Sequence, residues 1–541
     1  MLGLGLGLPL VAVRGGSPPF SPSILYAAMQ AGLWVEPSDY AATGFQDSAG
    51  TTPQTAVEQP TGLRLDKRLG LALGASALPA GPARDFSADT YWSKDAGATI
   101  SGGTANWAAS VTNVSIYTVG ALTIGVLYEI TFTITNISAG AIRCACGNAL
   151  GTPRSTPGTY KERLVADSSV PRLLAFGAST TANVSFVNFV VVTGNHLLQA
   201  TAANRPTLSA RVNLLTVKTS DLTALGIVGA SVTISGTTIT ATSGGGFHYV
   251  VRSPSDVVTG KTYAASFSVK SGTNPWMWFL SQSSSGFTYF NGATGAIGDV
   301  AAGHTATISP TADADGFWRC TVTWTATANA YGFGLALNGT TNSFSAAGTE
   351  SISIKNFQLE YGSVATRYQD VVAGGATYDT ANFPVYDSFN GTNGALATST
   401  FAAGTLTANM DCFIAVRRNS TASAVLAYSD ATHYLGSFAV GGAGSAALNS
   451  GTPTHYVDGV VVPGGSATTA GQLDTAVPIN GWHILEIRNA DLSTWTAFSL
   501  AGLSTLFLNG SVGGIILAPA QTNAVRAQIR TYIGAKVGLV L

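Results

Sequence analysis

The densest run of side chains able to do chemistry is aromatic. Trp276-Met-Trp278-Phe279 is followed closely by Phe287, Tyr289 and Phe290. Such rings offer flat apolar faces on which the C–H faces of a sugar can stack, while polar neighbours meet its hydroxyls. Read as a strand, the run sends Trp276 and Trp278 to one side and Met277 and Phe279 to the other. One pair enters a core, and the opposite pair is placed to line a groove. Trp276, Trp278 and Tyr289 are therefore candidate carbohydrate-binding residues, and Trp92 and Trp107 are the equivalent candidates earlier in the chain. Trp318 and Trp324 read as core, and Trp482 and Trp495 as packing.

Other chemistry finds little support. The six histidines are scattered, without a His-Glu-x-x-His metal pair. Gly260-Lys261-Thr262 lacks the leading glycine of a phosphate loop and reads as a hairpin turn. Gly464-Gly-Ser466-Ala-Thr468 misses the last position of a nucleophile elbow. Cleaving a glycan needs two carboxylates flanking the scissile bond. The 27 acidic residues rarely cluster, and Asp379, Asp387 and Asp411 read as separate loop residues. The expectation is a protein that is not an enzyme and carries no cofactor. Asp313-Ala-Asp315-Gly316 reads as a turn, with Ca²⁺ as the minor alternative. Cys144, Cys146, Cys320 and Cys412 read as small buried residues rather than as a disulfide framework.

Composition sets the frame for these groups. With 541 residues the chain exceeds one ordinary core and implies several domains. Charged residues make up only 10%, against about 25% in typical domains. The net charge of −1 lacks the basic footprint of nucleic-acid binding. Met1 to Leu10 alternates glycine with leucine, without the basic start of a signal peptide. No run reaches the roughly 20 apolar residues of a membrane helix.

An internal repeat organises the middle of the chain. Leu122-Thr-Ile-Gly125-Val-Leu-Tyr128-Glu-Ile-Thr-Phe132-Thr-Ile134 matches Val257-Val-Thr-Gly260-Lys-Thr-Tyr263-Ala-Ala-Ser-Phe267-Ser-Val269, with Gly, Tyr, Phe and the final aliphatic in register. Gly97 to Gly102 matches Gly229 to Gly236 upstream, and Ser185 to Phe189 matches Ser353 to Phe357 downstream. Tyr128, Ile130, Phe132 and Ile134 alternate with polar residues, as on a half-buried antiparallel strand. Two jelly-roll β-sandwiches are expected, at 85–193 and 211–370, joined by a linker at 194–210.

Residues 371–541 read as a third β-sandwich. Its candidate strands are 407–417, 424–428, 435–440, 459–462 and 481–488. After Pro519 the period changes: Val525, Ile529 and Ile533 predict a closing amphipathic helix over 522–537, with Tyr532 and Val537 extending its apolar face. Residues 1–84 read as a small mixed anchor with a short helix from Ser23 to Gly32, short β-like pieces around Phe45, Val57 and Leu63 to Leu73, and no large core. The fold class is thus all-β: tandem jelly rolls, a third sandwich, an N-terminal anchor and one C-terminal helix.

Several segments carry a resemblance. Gly32-Leu-Trp-Val-Glu-Pro-Ser-Asp39, Phe45-Gln-Asp-Ser-Ala-Gly-Thr-Thr-Pro53 and the 195–215 segment resemble parts of bacteriophage tail-fibre and virion-surface spike proteins. Gly316-Phe-Trp-Arg-Cys-Thr-Val-Thr-Trp324 with Asn356 to Tyr368 is similar to the last strands of carbohydrate-binding-module-like jelly rolls. Phe401 to Pro519 resembles a concanavalin-A-like lectin sandwich. The resemblance implies a virion protein, assembled in the host cytoplasm, that attaches to host surface polysaccharide. It implies a homo-oligomer, a trimer by analogy, that meets other virion structural proteins through its N-terminal region. Neither nucleic acid nor membrane insertion is implied. A purely structural head-spike or decoration protein, and a capsule-degrading hydrolase or lyase, are the alternatives.

Overall fold

The computed structural model describes residues 20–26, 31–68, 73–192, 195–215, 222, 228–252, 257–281, 286–371, 377–398, 406–430, 433–438, 452–479, 481–503, 506–539 and 541. The chain is all-β apart from short helical turns and the C-terminal helix, and its sheets are antiparallel.

The two repeats fold with one topology. In the second, a five-stranded sheet runs in the order Val228–Ala230, Tyr249–Arg252, Tyr331–Ala336, Trp276–Leu280, Phe287–Asn291. It faces a six-stranded sheet in the order Val232–Ser235, Thr238–Ala241, Ser351–Tyr361, Thr262–Ser271, Trp318–Thr325, Thr305–Ile308. Tyr263, Phe267, Met277, Phe279, Phe290, Phe333 and Phe357 fill the space between them. In the first repeat the order Ser93–Lys94, Ser115–Tyr117, Pro171–Val192, Leu127–Cys146, Ala149–Leu150 reproduces the five-stranded layer. Here two strands of 20 and 22 residues serve both layers by turning a corner. Register shifts between Phe176 and Thr181 mark that corner, where Gly140 and Gly177 hold positive φ.

The repeated sequence motif has a repeated contact. The Tyr128 hydroxyl accepts from the Thr123 N–H at 2.8 Å, and the Tyr263 hydroxyl accepts from the Val258 N–H at 2.8 Å. Gly125 and Gly260 turn the chain between donor and ring with φ of +80° and +85°. Gly260-Lys261-Thr262 is thus a turn leading into a strand. The four cysteines are free thiols in buried positions.

The third sandwich is built from both ends of the chain. Its eight-stranded sheet runs Thr207–Ser209, Tyr386–Asn390, Asn509–Pro519, Met410–Arg418, Trp482–Ala490, Thr454–Val457, Val460–Val461, and Leu33–Val35 also pairs with Asn509–Pro519. The seven-stranded sheet runs Gly44–Phe45, Leu63–Arg64, Leu197–Leu198, Leu396–Thr398, Ser499–Leu500, Ala424–Tyr428, Tyr434–Phe438. Two expected boundaries are therefore corrected. The described residues of 1–84 do not form a unit of their own: strands at 33–35, 44–45 and 63–64 belong to the third sandwich, while Leu73–Ser76 joins the first. The segment 194–210 is not a plain linker, because it supplies one strand to each sheet of the third sandwich. These strands are two to four residues long, and most of them find the backbone partners they lack locally in strands far away in the sequence.

The expected head helix is a 3₁₀ turn at Pro22–Leu25, and Ala27 to Gln30 lie outside the described residues. The closing helix is Asn523–Lys536, capped by the Thr522 side chain. Ile529, Ile533 and Val537 lie on Phe413, Ile484 and Ile516, on the sheet face away from the sandwich core, together with Leu25, Tyr26 and Trp34.

Charges bind these pieces. Arg64 and Asp387, both buried, pair at 2.6 Å, and Thr61 donates to the same carboxylate oxygen. Asp411 is buried against Arg526 of the closing helix at 2.8 Å. Asp387 and Asp411 are thus strand residues with dedicated cations, not loop residues.

Two outcomes follow for stability. Asp387→Ala strands the buried Arg64 guanidinium, so the unfolding transition of the full chain should lose about 3–5 kcal/mol in denaturant. The double variant Arg64→Met/Asp387→Leu should recover most of it, and equal losses in both variants would contradict the assignment. His455 is buried with both ring nitrogens unpartnered, and burial lowers its pKa from 6.5 to about 4. Between those values the unfolded chain takes up a proton that the folded chain refuses. Stability is therefore full above pH 6.5 and falls as pH drops toward 4. Denaturation at pH 7 and pH 4.5 should show a loss of roughly 2 kcal/mol that His455→Leu removes.

Candidate functional site

The aromatic run sits on the five-stranded sheet of the second sandwich, and the two faces of that sheet differ. Met277 and Phe279 point into the core, as do Tyr331, Phe333 and Leu335 of the neighbouring strand. Trp276 and Trp278 point outward. Register places Tyr249, Gly334, Trp278 and Tyr289 side by side in one row across four strands. Val251, Gly332, Leu280 and Phe287 form the next row, and Ala336, Trp276 and Asn291 the row on the other side. No member of these rows is charged.

Small residues on the central strand shape the surface. Gly332, Gly334 and Ala336 leave a trough between the larger side chains of the strands beside them. The Trp278 ring fills part of it: a Cβ on Gly334 would stand 2.3 Å from Trp278 Cζ2 and 2.7 Å from the His248 carbonyl oxygen. Likewise, Trp276 lies on Gly339, where a Cβ would come within 2.9 Å of its Cη2. Phe287 meets Trp278 edge-on at 4.9 Å and stacks on Phe247 at 6.1 Å. Tyr249 approaches Trp278 from the opposite strand at 6.0 Å.

Burial sorts the five candidate residues. Trp276 is half-buried and keeps a face toward solvent. Trp278 is only 1% exposed and Tyr289 only 4%. They form the floor of the aromatic layer rather than its contact surface, because Tyr249 and Phe287 lean over Trp278. The Trp278 indole N–H lies buried there with no acceptor. Burial, with Asp299 nearby, raises the Tyr289 pKa. Trp92 and Trp107, at 4% and 2% exposure, belong to the core of the first sandwich. Trp107 donates to the Val114 carbonyl, and Trp92 packs on Phe86 and Tyr91. They offer no face to a ligand: the strand Thr104–Ser110 turns Trp107 inward, and Trp92, just before the strand Ser93–Lys94, is packed into the same core.

Sequence reasoning missed Tyr249, Phe287 and Phe247, the last 46% exposed. Together with Trp276 they make the accessible ledge. Period-two spacing from Tyr289 was the signal for Phe287, since residues two apart on a strand share a face. Tyr249 and Phe247 lie on other strands and become neighbours only through pairing.

The remaining candidates resolve as structure. Trp324 and Trp495 are core, and Trp318 packs against the core. Trp482 meets Tyr386 edge-on under Arg417. The Asp313–Gly316 turn is held by Asp313 accepting the Asp315 and Phe317 N–H groups. The Lys355 ammonium stands 3.5 Å from the Asp313 carboxylate and 3.1 Å from that of Asp315, where the calcium alternative needs a metal. Among the described residues no group of three or more His, Cys, Asp or Glu side chains is arranged to hold a metal ion. No helix among them is long and apolar enough to cross a membrane.

No family model matches this chain, and no curated protein matches it. Among solved structures it is similar to the N-terminal CBM22-1-CBM22-2 tandem domain from Paenibacillus barcinonensis Xyn10C. That match has 9% identity and a TM-score of 0.18, and covers 53% of this chain and 98% of the other.

The trough makes a specific demand on Gly334. Gly334→Ala places a methyl group 2.3 Å from the Trp278 ring and 2.7 Å from the His248 carbonyl oxygen, so the ring or the backbone must shift. Near-ultraviolet circular dichroism and tryptophan emission should both change, with a loss of about 1–3 kcal/mol in unfolding. A spectrum identical to that of the parent would remove Trp278 from this position.

Proposed function

We propose that the second sandwich binds a neutral stretch of glycan along the outer face of its five-stranded sheet, and that the protein acts in attachment rather than catalysis. The observation that carries this reading is the uncharged ledge of Phe247, Tyr249, Trp276 and Phe287 laid over buried Trp278. Half-exposed rings on a sheet surface suit C–H stacking against sugars. They persist on a folded surface where a partner covers them.

The non-enzymatic part of the proposal rests on the fate of the carboxylates. Asp387 is paired with Arg64, Asp411 with Arg526, Asp379 with Arg367, and Asp313 and Asp315 with Lys355. A carboxylate engaged by its own cation is not left free to flank a scissile bond.

A place on a virion, contact with other virion proteins through the N-terminal region, and a trimeric state belong to the same reading. Support for them is the resemblance carried by segments 32–39, 45–53 and 195–215. Copy number would matter physically, since linked weak sites gain roughly 10²–10⁴ in avidity.

The test uses the full chain, because the third sandwich needs strands from both ends. Glycan-array binding should be positive for at least one neutral oligosaccharide. Trp276→Ala should weaken it about tenfold while leaving the unfolding transition in place, as the loss of one stacking face at roughly 1–2 kcal/mol implies. A blank array, or Trp276→Ala binding like the parent, would instead favour modules that only pack.

A further inference from the structure

The equivalent face of the first sandwich has different chemistry. Its five-stranded layer has the same strand order, so the positions that carry the aromatic ledge in the second sandwich can be located in the first. Pairing places Tyr117, Arg172, Ala145 and Leu150 in one row. Ser115, Leu174 and Arg143 form the next. The neighbouring residues Ile116, Leu173, Ile142 and Cys144 point into the core, so both arginines point outward.

Arg143 and Arg172 line one groove of about 540 Å³, with Tyr117, Asn113, Asn148 and Asp95 around them. That volume lies within the range of small-ligand sites. Arg143 donates to the Asn113 side chain at 2.8 Å, and its guanidinium lies 5.0 Å from the Phe176 ring centre. These contacts orient it without neutralising it. The Nε of each arginine is buried and has no acceptor. Among the described residues no carboxylate pairs with either. Asp95, the one acid in the lining, is occupied: its Oδ2 accepts from the Ser115 N–H at 2.9 Å and from the Ser115 hydroxyl at 2.7 Å.

Two guanidinium groups against one engaged carboxylate leave the groove positive in a chain whose other arginines often have anions. Arg64, Arg154, Arg163, Arg526 and Arg530 all pair with carboxylates. A planar guanidinium with unused N–H groups matches an oxyanion through paired, charge-assisted hydrogen bonds. We propose that this groove binds an anionic sugar residue, one bearing a carboxylate or a sulfate, so that the duplicated modules read different parts of a glycan. This inference rests on the attachment reading above and adds the ligand charge that the first module selects.

Affinity electrophoresis of the full chain through gels containing polygalacturonate, dextran sulfate or neutral dextran tests it. Retardation by polygalacturonate, by dextran sulfate or by both is expected, and which one retards identifies the anion. Arg172→Gln and Arg143→Gln should each weaken that retardation about tenfold, with thermal unfolding confirming that the variants are folded. Lys161→Gln removes an exposed cation outside the groove and controls for general charge. Retardation by neither charged polymer, or equal retardation in all three variants and the parent, overturns the proposal. If the parent still binds neutral oligosaccharide on the array, only this inference falls; if that binding is also absent, the attachment reading falls with it.

Discussion

The buried pair between Arg64 and Asp387 is the constraint on which the architecture depends. Neither charge can be left alone in an apolar interior, so the two segments that carry them must meet. Arg64 ends a two-residue strand near the start of the chain, and Asp387 lies on the strand Tyr386–Asn390. Between them the chain makes both repeated sandwiches. Those modules are therefore insertions into a third sandwich, entered and left through its own strands. The same closure recurs at the termini. Glu36 accepts from the Tyr532 hydroxyl at 3.1 Å and pairs with Lys67 and Lys536. The Tyr26 hydroxyl donates to the carbonyls of both Leu33 and Leu517. A chain with few charges spends many of them on holding its two ends together.

Insertion leaves the modules free to diverge outside while keeping one interior. The tyrosine that caps its own turn, the buried alternation after it, and the strand order are common to both copies. Their outer faces are not. One presents rings over glycines, and the other presents two arginines. Core positions are fixed by packing, where one methylene is felt, whereas an outward position on the same strand carries no such restraint. Duplication on a stable frame is thus a route to two surfaces of different chemistry at little cost to folding.

Legibility in the sequence followed the length of the signal. The repeat could be read because thirteen residues keep their spacing, with Tyr128 and Tyr263 aligned. The closing helix could be read because Val525, Ile529 and Ile533 recur over three turns. Strands such as Ala424–Tyr428 emerged from apolar runs. In the head, the β-like pieces around Phe45 and Leu63 could be read but not their place in the third sandwich: Leu33–Val35 and Leu63–Arg64 are too short to show a period, and they pair with strands at 515–517 and 197–198. Asp387 and Asp411 looked like loop residues, the latter even within the expected strand 407–417, since a charge in a strand is explained only by a cation that the local sequence does not contain. At the candidate site, alternation separated Trp276 and Trp278 from Met277 and Phe279. It could not tell that Trp278 would be roofed by Tyr249 and Phe287, because that follows from cross-strand register and from the gap at Gly334.

The distribution of charge then bears on what each surface can recognise. Where most ionic groups are matched within the molecule, long-range attraction is weak and screened within about a Debye length. Recognition of the kind proposed would then come from contact: ring faces on the second module and hydrogen-bond geometry on the first. An uncharged ledge discriminates by shape and stacking and tolerates many neutral sugars. A guanidinium groove discriminates by the presence of an anion, since a neutral residue there would leave N–H groups without acceptors. Joined on one chain, a permissive surface and a demanding one give selectivity that neither has alone. On the proposed reading, the permissive face would add affinity along a polymer, and the demanding face would decide which polymer is held.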